Sequence, residues 1–366
     1  MMIAGKDGHE SIAASPSLMH QQYLNTRTFG SLDGIRALSI IAVVWHHSPA
    51  RNDWAASTKG FLGVDLFFVI SGFLIVTLLL RERDRRGTID LGAFYARRSL
   101  RIIPLNYAMI LALWAVTAWT NSSQAAAIAH DAPYALTYTA NLFPTISMLS
   151  ICWSLAAEEQ FYLAWPLIER WFRRQALIML VLFIAASLVV SCGYQYFGYW
   201  GWTPKMLQQT TFVPIALGVL GAHLLHNPKS FARIQNFITG KWVTPTALLT
   251  ITAAISIPVD DIGGLPRLGI QLLMAWFVVG CVCREDHGLR GILSNRTLSR
   301  IGTVSYGIYL FHMIGLHVST VALGRLGITQ PVAIFTATLL LTWLLAEASF
   351  RTFERFFLRL KNRWSR

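Results

Sequence analysis

The chain has 366 residues, of which 54% are hydrophobic and only 13% are charged. Soluble domains carry about 25% charged residues, so this composition excludes a soluble globular protein, whose core would need far more polar surface to cover it. The net charge is +13, but the basic residues lie between apolar segments and no nucleic-acid-binding motif is present. The charge is therefore interpreted by the positive-inside rule of membrane proteins, and no nucleic-acid partner is expected.

The N-terminal residues 1–28 are mixed and polar. They lack the basic, apolar and small-residue order of a cleaved signal peptide. We therefore expect 1–28 to be a polar cytoplasmic segment, with the first span serving as an uncleaved insertion signal. The four cysteines form no CxxC or other ligand pattern, so neither a metal site nor a disulfide framework is expected.

Ten apolar segments follow, each near the length that crosses ~30 Å of hydrocarbon at about 1.5 Å per residue. They predict an all-α fold, a polytopic membrane helical bundle of about ten transmembrane helices. The predicted spans are 32–48, 61–80, 102–120, 155–171, 176–196, 210–225, 243–259, 268–282, 301–320 and 332–350.

The distribution of positive charge orients these spans. With the N-terminus in the cytoplasm, 26 of the 31 Lys and Arg residues fall on the inner side. The positive-inside rule then predicts an N-in/C-in topology with an even number of spans. We expect a membrane domain over 29–358 and a basic cytoplasmic tail over 359–366.

Ionisable groups within spans are costly and suggest function. Arg36 and His47 are 11 residues apart in the first span, which places them within roughly 20° of one helical face and about 16 Å apart along the axis. One stripe thus carries a cation near the inner end and an imidazole near the outer end. In the simpler alternative, Arg36 reaches lipid phosphates and His47 lies at the outer interface.

Glu158 lies near the outer start of the fourth span, so it can share a depth with His47. A carboxylate beside a histidine is a standard arrangement for general base catalysis. Alternatively, Glu158 or Glu159 marks the first turn of the helix, where the dipole stabilises a carboxylate. We assign that capping role to Glu159 and a site role to Glu158.

The inner loop from Arg81 to Arg101 is strongly basic. The positive-inside rule alone accounts for most of it. Arg98 and Arg101 differ, because they lie three residues apart on one face at the start of the third span and suit a phosphate-bearing ligand.

Six segments carry a family resemblance. They are SLDGIRALSIIAVVWHH at 31–47, GVDLFFVISGFLI at 63–75, FYARRSLRIIPLNY at 94–107, WSLAAEEQFYLAWPL at 153–167, GTVSYGIYLFH at 302–312 and the weaker FRTFERFFLRL at 350–360. Together, and in this order, they resemble membrane acyltransferase family 3. This family includes bacterial O-acetyltransferases of lipopolysaccharide, exopolysaccharide and peptidoglycan.

The resemblance implies an acyltransferase of the bacterial inner membrane that takes an acyl group, acetyl above all, from cytoplasmic acyl-CoA to a hydroxyl of a glycan or lipid-linked saccharide. The family's Arg-x10-His pattern falls on Arg36 and His47, its Arg-x-x-Arg on Arg98 and Arg101, and its SLxxE glutamate on Glu158. His47 is then the general base, Glu158 orients it or holds the acceptor, and the three arginines bind the donor. Acyl-CoA is a co-substrate, and no permanently bound cofactor is expected. The side chains expected to line the pocket are Asp65, Ser71, Tyr162, Tyr306 and His312.

Many members of the family carry an extra esterase-like domain after the last span, and none is expected in this chain. Whether a partner protein completes the transfer stays open. A transporter or flippase of a small polar or lipid-linked substrate is the alternative function, because intramembrane charges occur there too, although no paired repeat is present. A non-catalytic membrane scaffold would give no reason for the alignment of Arg36 with His47.

Overall fold

The computed structural model describes residues 17–52, 54–197, 212–238, 240–259, 262–284 and 286–361. These residues form helices and no strand, which confirms the all-α prediction for the described part of the chain. A 3₁₀ turn spans Met148–Ile151 and a π-helical turn spans Phe350–Glu354. The α-helices are α1 Leu18–Asn25, α2 Gly30–His47, α3 Ala55–Thr58, α4 Leu62–Arg86, α5 Leu91–Trp119, α6 Ala125–Leu136, α7 Cys152–Trp171, α8 Ala176–Phe197, α9 Val213–His226, α10 Pro228–Ile238, α11 Val243–Ile255, α12 Gly264–Cys283, α13 Arg290–Leu293, α14 Arg296–Thr303, α15 Ser305–Arg325, α16 Pro331–Ser349 and α17 Arg355–Lys361.

Each of the ten predicted spans overlaps a helix, but 243–259 extends past the end of α11, 301–320 crosses the break between α14 and α15, and 210–211 lie outside the described residues. In the described part of the chain, six helices are long and apolar enough to cross a membrane, or seven if α1 and α2, bent by 65°, count as one span. Helices α9 and α11 have only 14 and 13 residues, or roughly 20 Å of length. Helix α7 carries three glutamates and an arginine, which leaves it too polar to count by composition alone. The span count of ten and the N-in/C-in orientation stay predictions.

The two ends of the chain were predicted to be polar. Residues 1–16 and 362–366 lie outside the described residues. Helix α1, by contrast, packs into the bundle, with His20 and Tyr23 each 2% exposed. Part of the predicted polar N-terminal segment is therefore buried.

Helix α4 lies at the centre of the bundle and contacts α9 backbone to backbone. A Cβ atom at Gly72 would lie 2.1 Å from the Ile215 carbonyl oxygen, and one at Gly218 would lie 2.1 Å from that of Val69. Only glycine permits such close approach. This contact fixes α4, which carries part of the site.

Helix α5 begins eleven residues before the predicted span. The Asp90 side chain caps it by accepting a hydrogen bond of 2.9 Å from the Ala93 amide. With 29 residues, α5 is about 44 Å long, which exceeds the ~30 Å hydrocarbon core. Its first three turns, which carry Arg98 and Arg101, can therefore extend beyond that core.

Candidate active site

A cavity of about 270 Å³ lies between α2, α4, α5, α7 and α15. It brings together seven of the ten predicted site residues, from five helices. These are Arg36, Ser71, Arg98, Arg101, Glu158, Tyr162 and Tyr306. The remaining wall is mostly apolar, from side chains such as Phe67, Leu74 and Leu155. A mostly apolar wall with a few convergent polar groups is typical of a small-molecule site.

Glu158 is the acidic centre of this cavity. Its Oε1 atom accepts hydrogen bonds from the Ser71 and Tyr162 hydroxyls. The guanidinium of Arg98 lies 4.2 Å from the centroid of the Tyr162 ring, a cation–π contact. The carboxylate is thus held in place by α4 and its own helix, close to a cation from α5.

The arginines of the cavity differ in whether they have acidic partners. Arg36 donates to Asp33 at 2.6 Å, and Arg97 donates to Glu82 at 3.4 Å. Across the residues that the structure describes, Arg98 and Arg101 form no ion pair with an acidic side chain. Guanidinium groups without an ion-pair partner in a partly enclosed space favour an anionic ligand, and their fork of donors matches phosphate.

A second, smaller cavity of about 70 Å³ lies next to the first. The two share Phe67, Leu155, Glu158, Ser305 and Tyr306. The smaller cavity extends along α15 to Tyr309 and along α7 to Ser154. The linings of the two cavities together thus extend from the arginines to Tyr309.

His47 and His312 lie beyond Tyr309 and contact each other, although neither lines these two cavities. Their ring centroids are 4.9 Å apart, and that of Tyr309 lies 5.4 Å from that of His312. The Nδ1 atom of His47 lies 3.0 Å from the Val43 carbonyl oxygen, and that of His312 lies 2.5 Å from the Tyr309 carbonyl oxygen. A carbonyl oxygen only accepts, so both Nδ1 atoms carry the hydrogen when the rings are neutral, and both Nε2 atoms keep a lone pair.

The two histidines differ in accessibility. His47 is exposed at the end of α2, whereas His312 is 1% exposed and its Nε2 atom is buried without a hydrogen-bond partner in the structure. Buried polar atoms are normally partnered. An unpartnered ring nitrogen beside an accessible base suggests a polar group supplied by something that binds there.

The predicted pairing of Glu158 with His47 does not appear among the contacts of the described residues. Glu158 is bound by Ser71 and Tyr162, and His47 contacts His46 and His312. The reason is that the two side chains lie at different depths along the bundle. Glu158 shares its cavity with Tyr306, and His312 lies six residues further along the same helix, or about 9 Å along the axis.

Asp65 was predicted to line the pocket and does not line the cavities described above. It is 1% exposed and binds Arg267 through both oxygens, at 2.8 and 2.9 Å. Gln271 donates a further bond of 2.9 Å to the same carboxylate. This carboxylate joins α4 to α12, because a buried charge requires a partner and finds it there.

Several lining residues were missed from the sequence. They are Phe67, Glu82, Arg97, Ser154, Ser305 and Tyr309. A signal for two of them was present, since Ser305, Tyr309 and His312 follow the i, i+4, i+7 spacing of one helical face. The pairing of Arg97 with Glu82 joins two helices and has no local signal.

Among the described residues, an internal cavity whose arginines Arg98 and Arg101 form no ion pair lies in the same helical bundle as an exposed histidine, an arrangement that suits a membrane enzyme acting on an anionic substrate. Residues 29–347 match the family model described as "Acyltransferase domain". The chain therefore belongs to this family of membrane acyltransferases.

Two relatives illustrate the similarity. The chain is 31% identical over 356 residues to the "Peptidoglycan O-acetyltransferase OatA" of Listeria monocytogenes, covering 88% of this chain and 55% of the relative. It is 28% identical over 372 residues to a Staphylococcus aureus (strain COL) protein named "Putative O-acetyltransferase", covering 91% of this chain and 58% of the relative. The chain thus spans little more than half the length of these relatives. No solved structure gives a significant match.

Proposed function

We propose that this chain is an integral-membrane O-acyltransferase of the bacterial inner membrane. It takes an acyl group, in the first place acetyl, from cytoplasmic acyl-CoA and transfers it to a hydroxyl of a surface or exported glycan or its lipid-linked precursor. Membership of the acyltransferase family supports the reaction class. The names of the relatives quoted above support an oxygen acceptor and a glycan.

One observation carries the proposal. The cavity with Arg98 and Arg101 shares five lining residues with the smaller cavity, whose lining includes Tyr309, and the Tyr309 ring contacts His312 of the histidine pair. A donor must present polyanionic phosphates at one end and a thioester at the other, joined by a long and largely apolar arm. The sequence of arginines, apolar wall and histidines matches that order of chemical groups.

In this proposal His47 is the general base. Its Nδ1–H is held by the Val43 carbonyl, so its Nε2 lone pair accepts the proton of the acceptor hydroxyl. The hydroxyl oxygen attacks the thioester carbonyl carbon, a C–O bond forms and the C–S bond breaks. The imidazolium returns the proton to the leaving sulfur, which leaves an ester and free CoA.

In the described part of the chain, Glu158 is not in contact with His47, so only the second of its two predicted roles, holding the acceptor, stays a prediction. The Val43 carbonyl, and not a carboxylate, fixes the tautomer of His47. Glu158 instead lies among the arginines, held by Ser71 and Tyr162. Its charge then helps to set the position of Arg98 and the shape of the donor cavity.

Glycan analysis tests the proposed function. A strain that lacks the gene should lose acyl groups from one surface glycan, as measured by mass spectrometry. The wild-type gene should restore them, and a gene carrying Arg98→Gln and Arg101→Gln should not. As a matched control, Arg85→Gln alters an exposed arginine that, among the described residues, donates to the Arg81 carbonyl and forms no ion pair, and it should restore them fully.

The transporter alternative predicts a different result. Vesicles containing the protein would move a labelled substrate across the membrane without new covalent label on the glycan. Label from acetyl-CoA in an alkali-labile ester of the glycan supports the acyltransferase. Transport without such an ester would overturn it.

A further inference from the structure

A third cavity, of about 340 Å³, lies on the other side of Arg101 and Tyr306 from the donor cavity. Its other lining residues come from the end of α14, from the π-helical turn and from α17. These residues are Thr303, Phe350, Glu354, Arg355, Leu358 and Arg359. Neither the family match, which ends at residue 347, nor the sequence motifs gave this region a role in binding.

Three arginines and one carboxylate face this cavity. Across the part of the chain that the structure describes, Arg101, Arg355 and Arg359 form no ion pair. Arg351, one turn earlier, differs, because it donates to Glu347 at 2.5 Å and does not line the cavity. Among the described residues that line the cavity, Glu354 is the single acidic group, and its Oε1 accepts a hydrogen bond of 3.2 Å from the Ser349 hydroxyl. The cavity thus keeps an excess of positive charge.

The backbone of this region is unusual. A π-helical turn over Phe350–Glu354 separates α16 from α17. Such turns are rare and are frequently found at functional sites. Arg355 and Arg359 follow it with i, i+4 spacing, so they share one face of α17. Both residues line the third cavity, so this face of α17 is directed toward it.

We propose that this third cavity binds the nucleotide end of the acyl donor, with Arg355 and Arg359 on the ribose 3′-phosphate. The proposal rests on acyl-CoA being the donor. CoA carries two separate anionic groups, a pyrophosphate next to the pantetheine arm and a 3′-phosphate at the far end of the nucleotide. With the arm directed toward His47, the pyrophosphate falls at Arg98 and Arg101, and the 3′-phosphate falls beyond Arg101. The Phe350 ring and Leu358 supply apolar surface for the adenine.

The experiment compares two donors that differ only in the ribose 3′-phosphate, acetyl-CoA and acetyl-dephospho-CoA. Affinities are measured by calorimetry on the purified full chain in detergent. The wild-type protein should bind acetyl-CoA at least about tenfold more tightly. Arg355→Gln with Arg359→Gln should remove this preference and leave the affinity for acetyl-dephospho-CoA within about twofold.

Two further variants separate a binding role from a structural one. Arg351→Gln, on the same segment but paired with Glu347, should keep the full preference. Arg355→Lys with Arg359→Lys should restore part of it, because a lysine retains the point charge but not the fork of donors. Loss of the preference in the lysine variant to the same degree as in the glutamine variant would contradict phosphate binding.

The possible failures are distinguishable. If the wild-type protein binds neither compound, acyl-CoA is not the donor and the proposed function fails together with this subsite. If the wild-type protein binds acetyl-CoA and acetyl-dephospho-CoA equally, the proposed 3′-phosphate site is wrong, but the proposed function stands. The same holds if the double glutamine variant keeps the preference for acetyl-CoA. The arginines would then be assigned to the phosphates of lipid headgroups.

Discussion

The imidazole rings of His47 and His312 meet edge to face, with centroids 4.9 Å apart, although they come from helices at opposite ends of the sequence. Each ring has its Nδ1 bound to a carbonyl of its own helix, so each keeps an Nε2 lone pair. One ring is exposed and the other is buried. This asymmetry suggests a proton-accepting histidine supported by a second one behind it.

His312→Gln should therefore slow the acyl transfer without weakening donor binding. We expect kcat to fall by about 10- to 100-fold, less than the loss of a general base, which is about 10²- to 10⁴-fold. The KM for acyl-CoA should stay within about twofold. Unchanged kcat would assign His312 to packing alone.

Tyr162 offers a matched pair of substitutions in the donor cavity. Tyr162→Phe loses the hydrogen bond to Glu158 but keeps the ring beneath Arg98, whereas Tyr162→Leu loses both. The cation–π contact contributes about 0.5–2 kcal/mol. The affinity for acyl-CoA, measured by calorimetry, should therefore fall further in the leucine variant than in the phenylalanine variant. Equal affinities in the two variants would show that the position of Arg98 does not depend on the ring.

Hydropathy and motif order predicted most of this site, because helix faces and short motifs are local properties of a sequence. Arg98 and Arg101 converge with Ser71 and Glu158 as expected. The partners of charged groups were not predictable. Asp65 binds Arg267, some two hundred positions away, and the depth of Glu158 relative to His47 depends on how α7 packs against α15. The π-helical turn at Phe350–Glu354 also has no signature that distinguishes it from an ordinary helix.

The structural role of the ion pair between Asp65 and Arg267 is tested through stability. Asp65→Leu leaves the largely buried Arg267 without its carboxylate partner. Removal of one partner of a buried ion pair lowers the free energy of unfolding by about 3–5 kcal/mol. Asp65→Leu with Arg267→Leu should recover most of this loss. Apparent Tm values in detergent measure the loss of stability in the single variant and its recovery in the double variant. The folded double variant should keep its acyl transfer, and loss of transfer in a fully stable double variant would return Asp65 to the site.

Asp131 gives the fold an acid-sensitive contact. Burial opposes ionisation of this carboxyl, but hydrogen bonds from His130, Ser147 and the Ile146 amide outweigh it and hold its pKa below the usual range. Because the pKa of Asp131 is lower in the folded protein, its ionised carboxylate stabilises the fold at pH values above the pKa of the unfolded state, about 3.9. This stabilisation is lost as the pH falls through the pKa of the folded state.

Asp131→Asn should therefore lower the apparent Tm at pH 7, where hydrogen bonds to a charged group contribute about 1–3 kcal/mol. The difference from the wild-type protein should shrink as the pH is lowered below about 4. Thermal unfolding over pH 3–7 measures it. A difference that is constant over this range would mean that the charge of Asp131 does not stabilise the turn at Ile146 and Ser147.

The most direct test of the account is single-turnover transfer from labelled acetyl-CoA to glycan by the purified protein in proteoliposomes. The wild-type protein and His46→Gln, in which only the neighbouring histidine is replaced, should both form an alkali-labile acetyl ester. His47→Gln should bind acetyl-CoA with unchanged affinity and transfer label at least about 10²-fold more slowly. Transfer by His47→Gln at the wild-type rate would contradict the central claim that His47 is the base.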